Sequence, residues 1–441
     1  MLPMSILRLA LLPFGVAVSQ PVPPAVATGT SFSASHLQEI LDRDDYIEFA
    51  QELPHATGLK PEQESYFKGI LAYRQGRFEE AVKPLIAAVN ANDTSLTPNQ
   101  VENGLEVLGR TAAMTYQYGA SAQMYDDAEK IFGKAMGDTA KQIRERRHVG
   151  AVLQHVPPQT VRIAGDFSLK RTGKEYSIRI GGTTFSAELD TGATFSLLSE
   201  STAKSWGVAA LEGTVTLHGY GSGAFEAHPA VIPVLWMGKP ELHDVVVLVT
   251  ADHNLYISEI GQQTHALLGY PVTSALGHLT FSRDGTLTVS AQSPASGRDN
   301  GAAMWVGDSS LLIGVNTMPV LDGGKIVGST GARLFVLDTG SGSTYLTDHY
   351  RAEHTNVFFG PPPEMARLAG AGGVHEIPAY VAHQLPLWFG STVVLCNGQH
   401  ILRQPQGGEA EHFFGVIGQD LLRRFSSYVI DFRTMTFSVT P

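Results

Sequence analysis

The sequence predicts an α+β multidomain protein: a region of N-terminal α-helical hairpins, then two related, mainly-β units. Three observations carry that expectation. Apolar residues recur at helical spacing through residues 36–150 and at period two from Val161 onward. The triplet Asp-Thr-Gly occurs twice, at Asp190 and Asp338, each time at the end of an apolar run (185–189 and 334–337). Further motifs follow both triplets at matched distances, so the β-rich part reads as an internal repeat.

At 441 residues, the chain has room for two or three domains. Hydrophobic content of 43% and charged content of 17% fit a packed globular protein. A formal net charge of −11 argues against a phosphate-binding face, so no nucleic-acid partner is expected. The single cysteine, Cys396, allows no intramolecular disulfide and no cysteine-based zinc site. Its run Val393-Val394-Leu395-Cys396 reads as a buried strand, with Cys396 packed as a small hydrophobe.

Residues 1–19 read as a signal peptide. Arg8 precedes an apolar stretch, Ala17-Val18-Ser19 has a small-x-small pattern, and Gln20 follows. The stretch is too short to span a bilayer comfortably, so no stable membrane insertion is expected and the mature chain should be secreted or periplasmic. Residues 20–35, rich in Pro, Ala and Thr, read as a linker.

In 36–150, Tyr66, Phe67, Ile70, Ala72, Phe78, Ala81, Leu85 and Ala88 follow helical spacing around a turn at Gly76. Small residues at Gly69, Ala72, Ala81 and Ala88 would let two antiparallel helices pack closely. This run resembles a tetratricopeptide repeat, and a poorer second copy extends from Val101 to Ala128; an ordinary helical-hairpin domain is the plainer reading. The basic segment 141–148 reads as a solvated helix end, and Arg144, Arg146 or Arg147 could instead reach the aspartates described below.

The first β unit spans 161–291. Tyr176 to Ile180 alternates, Gly181-Gly182 turns, and 183–189 returns; further strands are expected at 213–217, 230–236, 245–250 and 287–289. A polar linker, 292–301, leads to the second unit, 302–441. Each unit has Asp-Thr-Gly, then a Gly-rich stretch (Gly219-Tyr220-Gly221-Ser222-Gly223; Gly370-Ala371-Gly372-Gly373), then two apolar residues and a glycine (Leu267-Leu268-Gly269; Val416-Ile417-Gly418). Leu276 and Phe425 then stand in equivalent positions, as do Phe281 and Ile430. Ordered motifs at matched distances seldom arise by chance, whereas one triplet often does.

These residues resemble the retropepsin and pepsin type of aspartic protease. Asp190-Thr191-Gly192-Ala193-Thr194 looks like the retropepsin signature. Val416-Ile417-Gly418-Gln419-Asp420-Leu421-Leu422 looks like the segment that passes under a catalytic loop into a short helix. The resemblance covers 161–441. It implies two retropepsin-like (acid protease barrel) lobes on one chain, with Asp190 and Asp338 as the catalytic pair around a shared water. It also implies that Thr191 and Thr339 bond across the lobe interface, that Gly192 and Gly340 allow close backbone approach, and that Leu268-Gly269 and Ile417-Gly418 pack beneath the loops. Tyr220, Gly221 and Gly372 are candidate flap or substrate-binding residues. The second motif departs from the pattern at Ser341-Gly342-Ser343, its flap has no tyrosine counterpart, and Gly360-Pro361-Pro362-Pro363 has no equivalent in the first unit.

Two carboxyls that cannot both ionise cheaply can supply a general base and a proton donor together. The expected activity is therefore endopeptidase hydrolysis of a peptide or protein substrate, with no cofactor and no metal. The sixteen histidines form no His-Glu-x-x-His motif. The alternative is an inactive peptide-binding scaffold on the same fold, with the helical domain recruiting a protein partner.

Overall fold

The structure, a computed structural model, describes residues 32–441 apart from 92–94, 134–138, 219–223, 258–260, 294–300, 323–324, 355–363, 371–372 and 404–408. The expected leader and most of both expected linkers lie outside the described residues. Helices then strands follow in the predicted order. Among the described residues, no helix is long and apolar enough to cross a membrane.

Among the described residues, seven α-helices build the N-terminal region: α1 (Ala34–Asp42), α2 (Tyr46–Glu52), α3 (Pro61–Arg74), α4 (Phe78–Val89), α5 (Pro98–Met114), α6 (Tyr118–Phe132) and α7 (Thr139–Leu153). Local signals set their starts. Thr97 caps α5, its hydroxyl taking the Gln100 N–H (3.2 Å) while the Gln100 side chain takes the Thr97 N–H (2.9 Å), and Pro98 fills the first helical position.

The α3–α4 and α5–α6 hairpins align in sequence at an offset of 40 residues. Gly69 and Gly109 let the paired helices close. A Cβ would lie 2.5 Å from Leu85 Cγ at the first and 2.8 Å from the Tyr125 ring at the second. The turns also match: Arg77 N–H reaches Ala72 O at 2.8 Å, and Gln117 N–H reaches Ala112 O at 2.7 Å. The left-handed position in the first turn is Gly76 (φ 71°), but in the second it is Tyr116 (φ 60°). The 40-residue offset is longer than the roughly 34 residues at which tetratricopeptide units recur.

In the first lobe, Glu175–Ile180 and Thr183–Leu189 form a hairpin, and Ala266–Leu268 pairs parallel with the second of these, Leu268 opposite Leu189. In the second lobe, Leu311–Asp322 and Lys325–Leu337 form the longer counterpart, and Gly415–Ile417 pairs parallel, Ile417 opposite Leu337. Val215–His218 pairs with Ala224–Trp236, and Glu364–Gly370 with Gly373–Ala382; their connecting residues, with Tyr220, Gly221 and Gly372, lie outside the described residues.

A shared sheet joins the lobes. Across the junction the strand order is Phe167–Lys170, Thr286–Ser290, His278–Ser282, then Ser427–Asp431, Thr436–Thr440 and Ala302–Val306, from which the sheet continues into Leu311–Asp322. At the junction, Leu279 faces Ile430, Thr280 faces Val429 and Phe281 faces Tyr428. Phe281 and Ile430 are sequence equivalents at an offset of 149, as are Leu279 and Tyr428. The outer two pairs therefore exchange under a pseudo-twofold that passes between Thr280 and Val429.

Two expectations are corrected. Val393-Leu395 is not buried: among the described residues Thr392–Cys396 pairs only with Leu385–Phe389, and along it Val393 and Leu395 are exposed while Cys396 is buried. The arginines of α7 do not reach the aspartates. Arg147 pairs with Glu129 (2.9 Å) and Asp126 (3.1 Å), Arg144 with Glu129 (3.6 Å) and Arg146 with Glu106 (4.0 Å), because the acidic faces of α5 and α6 lie beside them.

Candidate active site

Each aspartate is set by the strand that precedes it and by the strand beneath it. Asp190 N–H donates to Leu268 O (3.0 Å) and Asp338 N–H to Ile417 O (3.1 Å), so the two parallel pairings end at equivalent points. The chain then turns sharply. Gly192 N–H donates to Asp190 Oδ1 (2.8 Å); Gly340 and Ser341 N–H donate to Asp338 Oδ1 (2.9 and 2.8 Å).

The loops lock together through their threonines. Thr191 N–H donates to Thr339 Oγ1 (3.0 Å) and Thr339 N–H to Thr191 Oγ1 (3.1 Å). Each hydroxyl in turn donates across the junction, Thr191 to Leu337 O (2.7 Å) and Thr339 to Leu189 O (3.0 Å). Both threonines are buried, so four bonds are made where water does not compete. This brings Asp190 and Asp338 into hydrogen-bond contact although they are far apart in sequence.

The glycines are required by space. A Cβ on Gly192 would lie 2.6 Å from Asp338 Cγ, and one on Gly340 would lie 2.7 Å from Asp190 Oδ1. Below the loops, a Cβ on Gly269 would meet Ala193 O at 2.6 Å, and one on Gly418 would meet Ser343 O at 2.5 Å. Both of these glycine N–H groups are held by hydroxyls at matched positions: Gly269 by Ser196 (3.1 Å) and Gly418 by Thr344 (2.9 Å). Ser196 and Thr344 each stand six residues after an aspartate. Sequence reasoning missed them, and the repeat alignment carries the signal.

The electrostatics follow from burial. Burial, then the charge of Asp338, pushes the Asp190 carboxyl well above the usual carboxylate range. Burial also raises Asp338, against the N–H bonds from Ser341 and Gly340 and the bond with Asp190. Two desolvated carboxyls in contact hold a proton between them. A third carboxyl, Glu188, stands just before Leu189 and is also raised by burial. It lines a cavity of about 80 Å³ with Arg171, Leu189, Gly340, Gln419 and Tyr428. Cys396 takes no part: burial pushes its thiol up to about 11, away from the reactive thiolate.

This geometry, two related lobes meeting at paired Asp-Thr-Gly loops, is that of a two-carboxylate site at a pseudo-twofold. The family model described as "Aspartyl protease" matches residues 176–272, which take in Asp190, Thr191, Gly192, Leu268 and Gly269. The second lobe, with Asp338, lies beyond that match. Among solved structures, the chain is similar to a retropepsin-like aspartic protease from Rickettsia conorii, at 16% identity, over 30% of this chain and 94% of that one, with a TM-score of 0.21. The comparison with curated proteins finds no match. Over residues 176–272 the chain thus resembles the aspartyl protease family.

Proposed function

We propose that this chain is an aspartic endopeptidase that hydrolyses peptide bonds with a water activated by Asp190 and Asp338. The observation that carries the proposal is the pair of half-buried carboxyls in mutual contact, held from both lobes by reciprocal threonine bonds. With one proton on the pair, the ionised carboxyl takes a proton from the water as it attacks the scissile carbonyl. The protonated carboxyl donates to the developing oxyanion and afterwards supplies the proton for the leaving amine. The two carboxyls titrate as a unit, so base and acid belong to the pair. The reciprocal threonine bonds hold the two loops, and with them the pair, in a defined geometry.

The substrate class is an extended peptide or protein segment lying between the lobes. Tyr220, Gly221 and Gly372, in the two Gly-rich stretches, are proposed to bind it. The leader reading supports a secreted or periplasmic mature chain that begins near Gln20, which N-terminal sequencing of protein from the native host would test. Recovery of Met1 in a cytosolic fraction would overturn it.

The deciding experiment is cleavage of a peptide library across pH by the mature chain, beside Asp190→Asn and Asp338→Asn. Each variant should lose nearly all turnover. The double variant should be scarcely worse than either single one, because residues that act as a unit are non-additive. Retention of near-wild-type cleavage by either single variant would overturn the mechanism.

A further inference from the structure

The two catalytic loops are equivalent in backbone but differ in what supports them. In the second lobe the support is internal. Gln419 N–H donates to Ser341 O (2.9 Å), the Gln419 side chain donates to Thr339 O (2.8 Å), and Asp420 Oδ1 takes the Thr344 N–H (2.7 Å). At the offset of 149, the first lobe has Tyr270 and Pro271 where the second has Gln419 and Asp420. Tyr270 N–H still donates to Ala193 O (2.8 Å), but neither side chain has an amide or carboxylate to hold the loop.

The helical region reaches that place by two routes. At the α5–α6 turn, Tyr116 donates to Pro271 O (3.1 Å), and the Gln159 amide donates to both Pro271 O (2.8 Å) and the Tyr116 hydroxyl (3.0 Å). From α3 and α5, Arg74 and Arg110 converge on Asp308, with Arg74 Nη1 at 2.9 Å and Arg110 closer. Both arginine side chains are only 9% exposed, and Arg110 also pairs with Glu106 (3.0 Å). Arg74 further donates to Val306 O (3.2 Å) and Tyr73 to Gly307 O (3.3 Å), so the turn after Ala302–Val306 is gripped along its length. The next residue of that turn, Ser309, takes the Thr194 hydroxyl through its carbonyl (3.0 Å). The two routes end on Ala193 and Thr194, directly after Asp190-Thr191-Gly192.

We infer that the helical region is a brace for the first catalytic loop and that Asp308 is its central positioning residue, holding Thr194, and through it Asp190, in register with Asp338. Its consequence for turnover rests on the aspartic-protease reading; its structural half does not. Buried arginines need their counter-charge, so the Asp308 turn is fixed by the helices. A catalytic group displaced by about 1 Å costs about 100-fold in rate.

The test uses the full mature chain and three variants: Asp308→Asn, Thr194→Val and Tyr116→Phe. Thr194→Val cuts the last link without leaving a charge unpaired, so it decides the matter if Asp308→Asn fails to fold. Amide hydrogen exchange is read for segments 190–195 and 338–344, and kcat and KM are measured on one peptide substrate. The expected result is exchange in 190–195 faster by about tenfold in Asp308→Asn and Thr194→Val, unchanged exchange in 338–344, and kcat lowered about tenfold or more at nearly constant KM. Tyr116→Phe should move the same quantities in the same direction by less. Equal acceleration in both loops, no acceleration in 190–195, or faster exchange with unchanged kcat would overturn the inference. If the wild type cleaves no peptide, the protease reading falls, and the exchange data alone still decide whether the helices brace the loop.

Discussion

Thr191 and Thr339 each make two bonds that cross between lobes, and each takes the other's N–H. Thr191→Val or Thr339→Val keeps the shape but removes two bonds and strands a buried N–H. With about 1 kcal/mol per bond and about 1–3 for an unsatisfied group, each change should destabilise by roughly 3–5 kcal/mol in urea unfolding. The carboxyls give a pH signature whose sign is set by their shifts. Asp190 and Asp338 are raised, so the stability they contribute is full below the ordinary carboxyl range and is lost as pH rises through the folded values. Asp431 is the reverse. Burial pushes it up, but His278, Ser293 and Thr434 outweigh that and hold it at about 2. Its contribution is present above the usual 3.8 and is lost as pH falls towards 2. Asp190→Asn should flatten the decline of Tm with rising pH, and Asp431→Asn the decline with falling acid pH. Unchanged slopes in both variants would refute the assignment. Residue-scale legibility divides along the same line: the dyad was readable because its motif repeats, whereas Asp308 was not, since its partners Arg110 and Arg74 are 198 and 234 residues away.

At the scale of elements, close approach of backbone segments explains both what the sequence revealed and what it concealed. Gly269 and Gly418 follow strands that thread beneath the Asp-Thr-Gly loops, and any Cβ there meets a carbonyl oxygen of the loop above. Gly269→Ala and Gly418→Ala should each cost roughly 1–3 kcal/mol by overpacking, and the two costs should be similar because the sites are pseudo-equivalent. A neutral alanine at either position, judged by urea midpoint, would mean that the loop can lift away. These threading segments were legible through the spacing from aspartate to glycine. The helical repeat was only half legible. Its second turn places Tyr116, not glycine, at a left-handed position, and a bulky residue there carries no turn signal. The Tyr116 hydroxyl bond to Pro271 is what the tyrosine supplies. The strand Thr392–Cys396 was misread as buried because a run of apolar residues does not distinguish a covered strand from an edge with one bare face.

For the whole molecule, the question is whether helices and lobes are separable. The change from helical spacing to period two near Val161 suggests a helical domain separate from the lobes. The packing is otherwise. One contiguous apolar core runs from Leu37 and Phe67 in the helices through Leu189 and Leu268 in the first lobe to Leu337, Ile417 and Phe437 in the second. Tyr46 packs edge-on to Phe413 at 6.4 Å, Gly76 sits against Met435, and Arg74 stacks on Tyr46 at 4.2 Å while bonding the Asp308 turn. Removing the helices would bare apolar surface on the lobes and leave Asp308 without its two arginines, a loss no surface loop could offset. Helices and lobes should therefore unfold together. Calorimetry of the mature chain should give a single transition whose calorimetric and van't Hoff enthalpies agree, with helical and near-ultraviolet aromatic signals lost at one midpoint. A stabilising ligand bound at the dyad, such as a peptide mimic bearing a central hydroxyl, should raise that midpoint for the helical signal as much as for the aromatic one, because mass action stabilises every part of a cooperative unit equally. Two resolved transitions, with only the second responding to the mimic, would show that the helices fold by themselves and that the contacts at Asp308 do not couple them to the site.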